Sequence, residues 1–249
     1  MTLQVLILAA EGISMSHGRK IPACLQPMRG GTSLIDQQIR ELNLCGIKKE
    51  DIYIVIGKEG AWNNDSSEIL FEKYNNKNII INPKNNSTTS EISFYLFMKK
   101  IEIKGDLLII NSDAIFDVKH IDNLIDFNQN SLLTRSAKSI NERGIKIESE
   151  GNEIISLIEE ESTHYFPWDI YAGLLLLTKK SIDLIRKLPK VKDTKGLLYA
   201  LDKLISIKNF KKTCYDFMSN GYENDNSISR DLKGGSYANL SRRHIVRKE

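Results

Sequence analysis

The stretch QVLILAAEGISMSHGRKIPACLQP, residues 4–27, is the most informative part of the 249-residue sequence. It opens with the apolar run VLILAA, which is typical of a strand buried on both faces. A polar segment follows that contains Gly12, Gly18, Arg19 and Lys20, and then Pro22 leads into a second short apolar step. We interpret the segment as a loop at the end of a buried strand.

Strands and helices alternate along the first half of the sequence. We predict helices over SLIDQQIRELNLCG, SSEILFEKYNN and STTSEISFYLFMKKI, and strands over DIYIVIG, NIIIN and DLLIINSDAIFD. Gly46 is expected to end the first helix, Ser66 or Ser67 to cap the second, and residues within Ser87–Glu91 to cap the third. This alternation is typical of an α/β fold with a mainly parallel, mixed central sheet and helices on both faces.

The ends of two predicted strands carry polar residues that could form one site. Ligands of open parallel sheets bind beyond the carboxyl ends of the strands. The segment 9–23 follows the first strand, and Ser112–Asp113 follows the strand DLLIIN. We therefore expect both to face the same cleft.

The second half of the sequence is less regular. GIKIESEGNEIISLIEE predicts a hairpin around a Gly-Asn turn, DIYAGLLLLTKKSIDLIRKL a strand followed by a helix, and TKGLLYALDKLISI a further helix. We find neither an internal repeat nor a linker. A single domain over 1–232 is therefore expected, followed by a basic tail over 233–249.

Composition argues against several kinds of partner. The formal net charge is +3 and 41% of the residues are hydrophobic, so neither a nucleic acid nor a membrane surface is expected as the main partner. No apolar run reaches the length of a membrane span. The three cysteines, Cys24, Cys45 and Cys214, lack metal-ligand spacing and predict reduced packing thiols in a cytoplasmic protein.

Asp113 is the strongest single candidate for chemistry. A carboxylate just beyond a buried strand can hold a divalent cation that bridges triphosphate oxygens, and Mg²⁺ usually takes one or two protein carboxylates. The alternative is that Asp113 caps the following helix. The residues alone leave both interpretations open.

Taken together, these motifs resemble the sugar-phosphate nucleotidyltransferases, whose fold is GT-A-like. Their opening pattern is roughly LAAGxGxR, a short spacer and then PK, and residues 8–23 fit it without a gap. A strand-end Ser-Asp such as Ser112–Asp113, and a later segment like DNSISRDL at 225–232, occur in the same order. NPKNNSTTSEISFYL, residues 82–96, is similar to the phosphocholine- and phosphonate-activating cytidylyltransferases.

The resemblance implies roles for particular residues. Asp113 and Asp225 would bind Mg²⁺. Asn82 would contact the nucleotide, and Ser93 would line the floor of its site. The remaining nucleotide contacts would come from Ala10, Glu11, Gly12 and Ser112. The implied partners are a nucleoside triphosphate, with CTP favoured, and a small phosphorylated acceptor. Homodimer formation is left open.

The acceptor would bind to insertions at about 135–220. Aromatic rings hold quaternary ammonium groups in phosphocholine cytidylyltransferases, and Trp168 and Tyr171 are the candidates here. Both could equally be core residues. Lys146 could reach an acceptor phosphate, although a surface position is commoner for lysine.

The opening motif departs from the family at four positions. Glu11, Ile13, Met15 and Ala23 stand where two glycines, the arginine and the lysine are expected. Loss of one transition-state contact typically lowers the rate by about 10²–10³. Catalysis then requires Arg19 and Lys20, which lie in the same segment, to supply the cationic contacts.

Three functions remain open at this point. The first is a cytidylyltransferase-like enzyme that activates a small molecule for surface glycan or phosphonate decoration. The second is a non-catalytic nucleotide-binding or regulatory homologue, which the altered motif favours. The third is a glycosyltransferase of the related nucleotide-sugar-binding fold, which DNSISRDL disfavours.

Overall fold

The computed structural model describes residues 2–10, 13–16, 19–28, 30–58, 62–74, 76–83, 90–137, 144–158, 169–187, 201, 204–206 and 210–214. Eleven strands can be bounded there: β1 Leu3–Ala9, β2 Ile13–Ser16, β3 Arg19–Pro22, β4 Ile52–Gly57, β5 Ile79–Asn82, β6 Asp106–Asn111, β7 Asn130–Ser136, β8 Lys146–Glu150, β9 Glu153–Ile158, β10 Asp169–Leu177 and β11 Phe210–Cys214. Five helices can be bounded in the same way: α1 Leu34–Leu44, α2 Asn64–Lys73, α3 Ser90–Lys100, α4 Val118–Asp126 and α5 Lys179–Lys187.

Nine of these strands form one mixed sheet, in the order β5-β4-β1-β6-β10-β7-β11-β9-β8. The strands β5, β4, β1 and β6 run parallel, whereas β10 runs antiparallel to β6 and β7. A further pairing of β10 with β8 closes five strands into a ring, and an ion pair between Lys212 of β11 and Asp169 of β10 spans this ring. The predicted α/β class and mixed sheet are confirmed.

Strand β1 lies at the centre of the parallel part and is buried on both faces. Val5, Ile7 and Ala9 pack into one hydrophobic cluster with α1 and α4, while Leu6 and Leu8 pack into another with α3 and α5. Because neighbouring side chains of a strand point to opposite faces, an uninterrupted apolar run is what this position requires. The run VLILAA is therefore the buried strand that the sequence predicts.

The segment 9–23 was predicted to be a loop, but it contains two paired strands. It contains the hairpin of β2 and β3, whose register runs from Ile13 opposite Pro22 to Ser16 opposite Arg19. Glycine between two short segments is a turn signal, and the sequence has Gly18 here. The expectation of a phosphate-binding loop obscured that signal.

Other local predictions met mixed outcomes. Gly46 ends α1 with a positive φ of 77°, as predicted. The cap of α2 is Asn63, whose side chain accepts a hydrogen bond from the Ser66 amide, so the assignment to Ser66 or Ser67 was wrong. Ser66 and Ser67 lie inside the helix, which begins at Asn64.

The hairpin predicted around the Gly-Asn turn is confirmed as β8 and β9, with Gly151 at φ 58°. The strand and helix after residue 168 are confirmed as β10 and α5. Strands β7 and β11 were missed, since SLLTRS and FKKTC carry polar residues that hide their strand character. The predicted caps at 87–89, the residues 215–232 and the tail lie outside the described residues, and the single domain over 1–232 stays a prediction.

A carboxylate network fixes the start of α1 to the end of α2. Asp36 accepts hydrogen bonds from Lys73 Nζ at 2.8 Å and Tyr74 Oη at 2.5 Å, and it forms a capping box with Ser33. Burial raises the pKa of Asp36, but the hydrogen bonds from Lys73, Tyr74 and Ser33 outweigh it and lower the pKa to about 2. The network therefore stabilises the charged carboxylate.

We predict a pH-dependent loss of stability for Asp36→Asn. A carboxylate whose pKa is lower in the folded chain adds stability above its unfolded pKa, and this stability is lost as pH falls through the folded pKa. Urea unfolding should show a deficit of about 2 kcal/mol at pH 7 that vanishes near pH 2. Asp183→Asn, at an exposed pair with Lys179, should have little effect. A deficit that is the same at both pH values would contradict this assignment.

Candidate active site

The turn that carries Asp113 lies at the carboxyl end of β6. The Ala114 amide donates to the Asn111 carbonyl at 3.0 Å, which makes Ser112 and Asp113 the central residues of a β-turn. The Ser112 amide donates to the Leu8 carbonyl at 3.2 Å. This bond attaches the turn to the end of β1, so the two predicted strand ends are adjacent.

The end of β1 is also held by a neighbouring side chain. Trp62, which is buried, donates from its indole nitrogen to the Ala9 carbonyl at 2.9 Å. Ala10, a predicted nucleotide contact, is buried next to it. The backbone at the start of the opening motif is therefore fixed before the hairpin begins.

Asp113 does not cap the helix that follows it. That role belongs to Asp117, whose side chain accepts a hydrogen bond from the His120 amide at the start of α4. The imidazole of His120 accepts in return from the Asp117 amide, and burial lowers the pKa of His120 against the opposing effect of Asp117. Asp113 is therefore not the cap of α4, and this half-buried residue lies at the end of β6.

Strand β10 approaches the same turn closely at Gly173. The register of β10 against β7 shifts between Tyr171 and Leu175, and Gly173 has a φ of 92°. A Cβ at Gly173 would lie 2.8 Å from the Cβ of Ala114 and 3.4 Å from that of Asn111. Only glycine allows this approach, because it has no side chain and tolerates a positive φ.

Two residues predicted to act on the nucleotide form a buried pair. Asn82 ends β5 and donates from its side-chain nitrogen to Ser93 Oγ on α3 at 3.2 Å. Asn82 is 0% and Ser93 1% exposed. The hydrogen bond joins the carboxyl end of β5 to the first turn of α3 at the same edge of the sheet as Asp113.

The acceptor-side candidates have different surroundings. Tyr171 is half-buried and packs against the hydrophobic cluster under α3 and α5, which agrees with the core interpretation. Lys146 is buried, although a surface lysine was the commoner expectation. It lies opposite Ile170 in the β8–β10 pairing, one residue from Tyr171. Trp168 lies outside the described residues.

Several other predicted site residues cannot be placed. Glu11, Gly12 and Asp225 lie outside the described residues. Arg19 and Lys20 belong to β3, and only their backbone is described. Ala23 is described and buried, in the position where the family pattern has lysine.

Asp113 is a described carboxylate at this edge of the sheet, and a single carboxylate can contribute to a metal site. No group of three or more metal-ligating side chains comes together within the described ranges. Mg²⁺ prefers hard oxygen ligands and usually keeps several waters, so one or two carboxylates suffice. The chemistry of Asp113 therefore fits the ion.

Comparison with known proteins gives the fold a family context. No protein-family model matches the chain. The bifunctional protein GlmU of Methanococcus aeolicus is 26% identical over 231 residues, which are 92% of this chain and 52% of GlmU. The chain thus spans about half the length of that relative.

Solved structures match over most of both chains. The inositol-1-phosphate CTP transferase of T. maritima superposes with a TM-score of 0.66 and 15% identity, over 94% of this chain and 97% of that chain. The CTP:phosphocholine cytidylyltransferase LicC of Streptococcus pneumoniae gives 0.64 and 16%, over 87% and 91%. The chain has the sugar-phosphate nucleotidyltransferase fold. The predicted resemblance is thereby confirmed. Separately, no helix among the described residues has the length and apolar character of a membrane span.

Sequence reasoning missed two residues that shape the site. Gly173 interrupts an apolar strand, and an isolated glycine in a strand signals a bulge or a close backbone approach. Gln38 is a polar residue on the buried face of α1, and such a position signals a buried hydrogen bond. Both signals were readable, although neither reveals its partner.

We predict that Gly173→Ala costs more stability than Gly151→Ala. Both glycines have a positive φ, but a Cβ at Gly151 meets nothing within 4 Å. Backbone strain alone costs about 1–2 kcal/mol, and Gly173→Ala adds the contact with Ala114. Chemical denaturation of both variants and of the double variant Gly173→Ala with Ala114→Gly measures the difference. Equal losses for the single variants, or no recovery in the double variant, would show that the close approach has no energetic weight.

Proposed function

We propose that this chain transfers a nucleotidyl group from a nucleoside triphosphate to a small phosphorylated or phosphonate acceptor, with release of pyrophosphate. The observation that supports it most is the turn Asn111–Ala114, which holds Asp113 beside the end of β1. The buried Asn82–Ser93 pair lies at the same edge of the sheet. The fold is shared with enzymes named for nucleotidyl transfer to phosphorylated small molecules.

The reaction needs positioning more than acid–base chemistry. An acceptor oxygen attacks the α-phosphorus, the bond to the β-phosphate oxygen breaks, and pyrophosphate leaves with the electron pair. The attacking phosphate is already ionised at neutral pH, so no general base is required. The site must align the reactants and neutralise the charge that develops on the phosphates.

Asp113 and Asp225 would hold Mg²⁺, which supplies positive charge to the triphosphate when it is bound. Ala10, Glu11, Gly12 and Ser112 would approach the nucleotide through the backbone at the ends of β1 and β6. Asn82 would contact the nucleotide and Ser93 would line the floor of this site, and a hydrogen bond joins the two side chains.

Lys20 and Arg19 would supply the cationic contacts. Lys20 is the register partner of Met15 in the β2–β3 hairpin. Its backbone therefore lies directly across from the position where the family pattern has arginine. A lysine at that register could serve the triphosphate from the opposite strand of the hairpin.

CTP is the proposed nucleotide, because residues 82–96 resemble the cytidylyltransferases and two neighbours in fold are named for CTP. On the acceptor side, Trp168, Tyr171 and Lys146 would contact the second substrate. Lys146 and Tyr171 are close to the start of β10, whose amino end lies next to the carboxyl end of β6.

A second function is favoured by one observation. Ala23 is buried where the family pattern has the lysine that contacts the triphosphate, and Cys24 beside it is also buried. Without that lysine, the chain would bind a nucleotide but would not transfer it. The chain would act as a regulatory subunit.

Pyrophosphate release tests the proposal. The protein is incubated with Mg²⁺, each of the four ribonucleoside triphosphates and a panel of phosphorylated and phosphonate metabolites. Release with at least one pair supports transfer, and Lys20→Ala should then lower the rate at least about tenfold, the scale of one lost charge contact. Lys99→Ala, an exposed lysine at the far end of α3, is the control.

The outcomes separate the two functions. No release with any pair, together with a thermal shift on addition of triphosphate, would replace the enzyme by the binding protein. If neither pyrophosphate release nor a thermal shift is observed, both proposed functions are contradicted. Normal turnover by Lys20→Ala would exclude the hairpin lysine from catalysis.

A further inference from the structure

Gln38 contacts the Asp113 turn from the side of α1. Its side-chain nitrogen donates to the Asn111 carbonyl at 3.1 Å and to the Ala114 carbonyl at 2.7 Å. These carbonyls belong to the first and last residues of the turn whose centre is Ser112–Asp113. One amide group therefore bridges both ends of the turn.

Burial of the Gln38 side chain lowers the stability of the fold wherever its polar atoms lack partners. Gln38 is 2% exposed, and most of the other buried residues of α1 are leucine or isoleucine. Its Oε1 atom is buried and has no hydrogen-bond partner among the described residues. A buried, unpaired acceptor is unfavourable, so an apolar side chain would serve packing better.

The two hydrogen bonds that Gln38 donates add to other contacts that hold the same turn. The carbonyl of Asn111 also accepts from the Ala114 amide, and the Ser112 amide is bound to Leu8. Gly173 of β10 also approaches Asn111 and Ala114 closely. The turn thus contacts both α1 and β10, and Asp113 is one of its two central residues.

We propose that Gln38 is a positioning residue for Asp113: its amide fixes the turn so that the carboxylate is preorganised for a divalent cation. This rests on the proposed function for the role of the cation. In this proposal Gln38 acts through the turn and not by touching the cation or the substrate, because its side-chain nitrogen donates to the two backbone carbonyls at the ends of the turn.

Gln38→Met is the test, since it keeps the length of the side chain and removes both donors. The matched control is Gln4→Met. Gln4 is also a buried glutamine that binds backbone, through Glu102 and Lys104, but it lies at the opposite end of β1. Both variants lose comparable hydrogen bonds, and only one of them faces Asp113.

Two measurements are expected to change in Gln38→Met. Hydrogen–deuterium exchange over residues 111–116 should accelerate at least about tenfold, and the Mg²⁺ concentration for half-maximal pyrophosphate release should rise by about the same factor, as expected for two lost hydrogen bonds. The kcat at saturating Mg²⁺ should stay within about threefold. Gln4→Met should alter neither quantity.

Metal binding is also measured without turnover. Electron paramagnetic resonance of Mn²⁺ with an equimolar mixture of the four triphosphates should show weaker retention of the ion by Gln38→Met than by the parent chain. Should Gln38→Met not fold, Gln38→Asn replaces it, because its amide is one methylene too short to reach both carbonyls.

The results decide the proposal separately from the proposed function. Unchanged exchange over 111–116, unchanged ion affinity, or equal effects of Gln4→Met would each overturn it. A parent chain that binds Mn²⁺ with triphosphate but releases no pyrophosphate would contradict nucleotidyl transfer alone. The exchange and Mn²⁺ comparisons then still decide the role of Gln38.

Discussion

The turn at the end of β6 is the constraint on which the rest of the candidate site depends. It is bound to β1 through Leu8, to α1 through Gln38, and it packs against β10 at Gly173. Three separate elements therefore define where Asp113 lies. A site that acts by positioning charge needs such rigidity, because an error of about 1 Å can cost about a hundredfold in rate.

The elements that contact this turn are themselves held in place by other contacts. Helix α1, which carries Gln38, is anchored at its start by the network of Asp36 with Lys73 and Tyr74. Strand β1 is enclosed by the two hydrophobic clusters on its faces. The Asn82–Ser93 bond adds the end of β5 to the same edge. The polar site is thus built on elements whose positions are set by apolar packing.

Much of the parallel half could be predicted from the sequence, because its strands are continuous apolar runs and its helices have regular spacing. The hairpin of β2 and β3 was missed because glycine, arginine and lysine suggested a phosphate loop. Long-range contacts could not be predicted in the same way. That Gln38 reaches Asn111, or that Gly173 touches Ala114, depends on how α1 and β10 pack against a turn far away in sequence.

The central claim, that a cation and a triphosphate bind at the carboxyl edge around Asp113, is tested most directly by paramagnetic NMR. Mn²⁺ with an equimolar mixture of the four ribonucleoside triphosphates should broaden the amide signals of Ala10, Ser112 and Asp113, relative to the same sample with Mg²⁺. The signals of Gln4 and Lys104, at the opposite edge, should stay sharp, and Asp113→Asn should abolish the broadening. Broadening centred elsewhere, or unchanged in Asp113→Asn, would contradict the account.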